Sequence, residues 1–83
     1  MQYLPQHVRK NMQARFGGEE FRGFGADKEV DNVVAALERG KSMFEFMEAL
    51  GGLKIALYKK GFINEANIVF QIGESLEGNP GLS

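Results

Sequence analysis

The sequence predicts an all-α fold, a compact bundle of four helices in a single domain over residues 1–83. Three observations lead to this prediction. A chain of 83 residues is too short to bury two separate cores. Its apolar residues recur at the three- and four-residue spacing of amphipathic helices. No convincing run alternates between apolar and polar residues, and the strong start and stop signals are helical.

The first helix is predicted over about residues 5–16. Its apolar residues recur every four positions and form one narrow stripe: Leu4, Val8, Met12 and Phe16. Pro5 suits the first helical turn, because its missing N–H has no intrahelical partner there. Gly17-Gly18 end the helix and begin a Gly-rich loop over residues 17–26.

The second helix is predicted over about residues 28–39, with Asp27 as its N-cap. Its apolar residues follow helical spacing: Val30, Val33, Val34 and Leu37. Arg39 and then Gly40 end it, since cations and glycine both favour the carboxyl end of a helix.

The third helix is predicted over about residues 43–60 and opens with a capping box made by Ser42 and Glu45. On one continuous helix, Lys54 would lie about 20° from Met43, near the centre of an apolar arc. We therefore expect the helix to be bent or split at Gly51-Gly52. The alternative is that Lys54 extends its ammonium from the rim of the core.

The fourth helix is predicted over about residues 65–77, with Asn64 as N-cap and Ile63 and Ile68 as a hydrophobic staple. Its apolar arc of about 200° is wider than one buried face needs. The arc contains Ala66, Ile68, Val69, Phe70, Ile72 and Leu76. Residues 78–83 are expected to form a flexible tail.

The composition argues against an enzyme. The chain has no Cys, which excludes disulfides and cysteine zinc sites, and His7 is its single histidine. Neither a nucleophile–base pair nor a phosphate-binding loop is recognisable. We therefore expect no catalytic residues, no metal and no cofactor.

The charge balance argues against a general nucleic-acid or membrane binder. The net charge is −1, although residues 1–22 carry two more basic than acidic side chains. No apolar run approaches the roughly 20 residues of a transmembrane helix. A cysteine-free chain of this kind fits the reducing cytoplasm, which we predict as its location.

The strongest functional signal is the excess of large apolar residues within residues 43–76. Two short helices cannot bury so many against each other. Either the first two helices cover the surplus, or part of it forms a self-association or partner surface, which is the interpretation we adopt. The sequence predicts a small non-catalytic interaction or regulatory protein that binds a larger protein and forms a homodimer. An inhibitor of a host protein, encoded by a virus or mobile element, is one such case. The expected contact residues are Phe44, Met47, Ile55, Tyr58 and Phe70.

The alternative hypothesis is nucleic-acid binding by the basic first helix and the Gly-rich loop. It would use Arg9, Lys10, Arg15, Arg22 and Phe24. The competing expectation is that Phe21 and Phe24 fold back onto the core and that the basic residues are merely solvated.

Overall fold

The computed structural model describes residues 4–39 and 42–77, and within them the fold is all-α, as predicted. Four helices follow one another: α1 (Gln6–Phe16), α2 (Asp27–Glu38), α3 (Met43–Lys59) and α4 (Ile63–Glu77). They pack in chain order, α1 on α2, α2 on α3 and α3 on α4. α3 therefore lies between α2 and α4. Gly40, as a helix stop, and the expected tail over 78–83 lie outside the described residues.

The third helix continues unbroken through Gly51-Gly52, so the predicted split there is wrong, whereas a bend at the glycine pair stays a prediction. Its buried residues keep one helical phase on both sides of the glycines: Phe46, Leu50, Leu53 and Leu57. Two interior glycines cost about 1 kcal/mol each relative to alanine. Burying Leu53 and Leu57 beyond them contributes about 1.5–3 kcal/mol each, which outweighs that cost.

Lys54 lies at the rim of the core, as the alternative to a break in the helix predicted. It lies about 80° around the helix from Phe46, at the edge of the core stripe. Its side chain is half-buried, and its Nζ lies 5.4 Å from the centroid of the Phe70 ring. The cation therefore contacts an aromatic face of α4 instead of entering the core.

The helix starts agree with the sequence at one predicted cap and differ at two. The Ser42 hydroxyl accepts a hydrogen bond from the Glu45 N–H, as predicted. Asp27 is the first residue of α2, not its N-cap, and its carboxylate accepts from the Gly23 N–H at 3.0 Å. Asn64 lies inside the first turn of α4, because the Phe62 carbonyl already accepts from the Ala66 N–H.

The turn between α3 and α4 is a Schellman motif built on Gly61. Gly61 has φ +88°, a left-handed conformation that glycine adopts without steric cost. Its N–H donates to the Tyr58 carbonyl, and the Phe62 N–H donates to the Leu57 carbonyl. α4 then runs antiparallel to α3 and packs against it. The exposed residues of the two helices therefore lie next to each other on the protein surface.

The Gly-rich loop folds back onto the helices. Phe21 is buried, and its ring stacks on Phe16 with centroids 5.1 Å apart. Phe24 is half-buried and meets the Phe62 ring edge-on at 4.9 Å. Both phenylalanines therefore stabilise the fold by aromatic packing.

Candidate protein-binding surface

Among residues 4–39 and 42–77, the large apolar side chains exposed to solvent all belong to the segment from α3 into α4. They are Phe44, Ile55, Tyr58, Phe62, Ile63 and Phe70. Phe44 is 72% exposed and Ile55 is 50% exposed. Such a concentration on one part of a small chain is typical of a protein interaction surface.

Four of the five predicted contact residues belong to this exposed set: Phe44, Ile55, Tyr58 and Phe70. The fifth, Met47, is half-buried and packs against the core. Phe62 and Ile63 are exposed as well, although neither was among the contact residues predicted from the sequence. Their position directly after Gly61 was the available signal, because residues at a tight turn are seldom covered by a neighbouring helix.

One part of this surface is the outer face of α3, defined by Phe44, Glu48, Gly51, Gly52 and Ile55. Helical geometry places these residues on the side of α3 away from its core stripe. α2 and α4 both pack against α3, and the buried stripe of α3 lies on the opposite side of the helix from this face, which is therefore directed outward. Phe44, Glu48, Gly52 and Ile55 are exposed, and Gly51 is half-buried.

The other part is the α3/α4 groove, a depression of about 200 Å³ between the two helices. Its floor is apolar and is formed by Leu50, Val69 and Gly73. Its sides are formed by Met47, Gly51, Lys54, Phe70, Glu74 and Glu77. A Cβ at position 73 would lie 3.2 Å from the Met47 Cε, so the glycine keeps the floor open beside Met47.

Contacts between α3 and α4 hold the groove in shape. Near the turn, the Tyr58 hydroxyl donates a hydrogen bond to the Asn67 side-chain oxygen. One turn further along, Lys54 lies over the Phe70 ring. The far end of the groove carries two carboxylates, Glu74 and Glu77. The groove is therefore apolar at its floor, positively charged towards the turn and negatively charged at the other end.

The residues of the nucleic-acid hypothesis lie on α1 and in the Gly-rich loop, and two of them are neutralised by carboxylates. Arg15 donates to both oxygens of Glu20, at 2.8 and 3.0 Å, which raises the pKa of Arg15 and lowers that of Glu20. Arg22 donates to Asp31 at 2.7 Å. These two pairs reduce the positive charge that phosphate binding would use.

Two further observations concern metal binding and membrane insertion. Across residues 4–39 and 42–77, no three His, Asp or Glu side chains come together as a metal site would require. No helix in this part of the chain is long and apolar enough to cross a bilayer.

Comparisons with protein families, with characterised proteins and with solved structures find no significant match to this chain.

Proposed function

We propose that this chain is a small, non-catalytic interaction protein that binds a larger protein partner through the α3/α4 groove. The observation that carries the proposal is the groove itself, in which exposed Phe70 and half-buried Met47 stand over an apolar floor. Aromatic and methionine side chains are enriched where proteins bind one another. A cytoplasmic location is part of the same proposal, since a cysteine-free chain suits a reducing compartment.

The shape and charge of the groove favour an amphipathic helix of the partner as the bound element. Grooves between two helices commonly receive the apolar face of a third helix. An apolar anchor would enter between Met47 and Phe70, above Gly73. A basic residue of the partner would lie near Glu74 and Glu77, where the groove carries its negative charge.

The proposal is tested by capturing partners from native host lysate with the wild-type chain and two single-charge variants. Phe70→Glu places a charge in the groove, whereas Gln71→Glu adds the same charge at the next exposed position of α4, outside the groove. We expect one partner to be retained by the wild type and by Gln71→Glu and lost by Phe70→Glu. Equal capture by all three folded proteins would contradict a role for the groove.

Nucleic-acid binding is the less supported candidate, because Arg15 and Arg22 are already paired with Glu20 and Asp31. Size-exclusion chromatography with duplex DNA at low salt separates the two functions. We expect the protein to elute apart from the DNA. Co-elution that is abolished by Arg9→Ala with Lys10→Ala would favour the alternative instead.

A further inference from the structure

We infer that the outer face of α3 is a homodimer interface, in which the α3 helices of two copies cross antiparallel at Gly51-Gly52. This interface adjoins the α3/α4 groove, with Gly51 at the border of both, and it does not depend on the function proposed for the groove. Three observations support it, namely the placement of the exposed apolar residues, the two glycines and the distribution of charge along α3.

Exposed apolar side chains flank the glycine pair on both sides. At about 1.5 Å per residue, Phe44 lies about 11 Å before the pair, and Tyr58 lies about 10 Å beyond it. Ile55 lies between the pair and Tyr58. An antiparallel two-fold arrangement therefore brings Phe44 of one copy beside Ile55 and Tyr58 of the other. The two-fold symmetry repeats this contact, so one pairing covers Phe44 and Ile55, the two most exposed large apolar residues in the described part of the chain, in both copies.

The two glycines allow the helices to approach closely at the crossing point. No packing contact among the described residues requires glycine there, because a Cβ at Gly51 or Gly52 would meet no atom within 4 Å beyond the adjacent turns of α3 itself. Both positions lie in the middle of a helix, where glycine is costly relative to alanine. A second helix that crosses α3 at the glycines could contact the main-chain atoms of α3 directly, because no side chain there separates the two backbones.

The charges of α3 select the antiparallel orientation. The exposed acidic residues Glu45 and Glu48 lie in its first half, and exposed Lys59 lies at its end. Antiparallel pairing places Glu48 of one copy near Lys59 of the other, whereas parallel pairing would place like charges together. The same face is therefore complementary to itself in charge as well as in apolar contact.

Sedimentation equilibrium with a matched pair of variants tests this interface. Ile55 and Ile63 are 50% and 49% exposed, but only Ile55 belongs to the outer face of α3. We expect the wild type to dimerise at micromolar concentration, burying at least about 1,000 Å² in total. Ile55→Glu should raise the dimer dissociation constant at least about tenfold, and Ile63→Glu should leave it unchanged. Circular dichroism confirms that each variant is folded.

A charge swap tests the orientation separately. Glu48→Lys and Lys59→Glu should each weaken the dimer, and the double variant should restore it, because the antiparallel contact is regained with its signs reversed.

A wild type that sediments as a monomer from micromolar to millimolar concentration would overturn the inference. So would a dimer that Ile63→Glu dissociates and Ile55→Glu does not. Partner capture through the groove can fail while the dimer persists, and the dimer can be absent while partner capture persists. The two proposals are therefore tested independently.

Discussion

Replacing both helix-interior glycines with alanine should stabilise the monomer. Gly51 and Gly52 lie inside α3, which stays helical through them. Glycine loses more backbone entropy than alanine when it is held in a helix. A Cβ at either position would find open space, so the substitution introduces no clash that could offset the gain.

The expected gain is about 1 kcal/mol per glycine, or about 2 kcal/mol for Gly51→Ala with Gly52→Ala. For a domain of this length, each 1 kcal/mol corresponds to a rise of roughly 4–8 °C in the melting temperature. Gly73→Ala is the matched control, because Gly73 is buried and its Cβ would lie 3.2 Å from the Met47 Cε. There the methyl end of Met47 must move by a few tenths of an ångström to admit the Cβ, so we expect a smaller gain than at the two open positions.

The measurement is urea unfolding followed by circular dichroism, at a protein concentration well below the dimer dissociation constant. A double variant no more stable than the wild type would refute the continuous helix, since a broken helix gains nothing from alanine at its break. The same double variant should weaken self-association in sedimentation, because two methyl groups would keep the crossing helices apart. Monomer stability and dimer affinity are thus expected to change in opposite directions.

Two further changes test local interactions. Gly61→Ala should destabilise the monomer by about 1–2 kcal/mol, because φ +88° is strained for a residue with a Cβ; Gly61→Asn should cost less in the same urea titration. Arg15 holds the pKa of Glu20 below its unfolded value, so the pair stabilises at neutral pH and loses this contribution as pH falls through the folded pKa. Glu20→Gln should therefore lower the unfolding free energy by less than about 1 kcal/mol at pH 7 and by nothing in strong acid. An equal decrease in the unfolding free energy at pH 7 and in strong acid would exclude the Arg15–Glu20 ion pair as the cause of the decrease.

The four helices and several of their ends could be predicted from the amino-acid sequence alone. The spacing of Val30, Val33 and Leu37 predicted a helix whose buried side the structure confirms. Ser42 was also predicted to begin α3, and its side chain caps the helix in the structure. Each of these features depends on atoms a few residues apart in the chain, so the local sequence contains the whole interaction.

Packing between the helices determines whether α3 breaks or continues at its glycine pair, although the local sequence is compatible with both. Gly51-Gly52 could break a helix, but Leu53 and Leu57 continue the buried stripe beyond them and keep α3 in phase. The contacts that these leucines make with the rest of the core outweigh a local preference of about 1 kcal/mol per residue.

The candidate surface shows the same division. The sequence indicated that α4 carries more apolar residues than one face can bury, but it did not say which of them are exposed. The structure buries Val69 and Ile72 and leaves Phe70 exposed, because α4 packs against α3 on one side only among the described helices. Helical periodicity states which residues share a face, whereas burial depends on which faces have a neighbour, and that is decided only when the helices pack together.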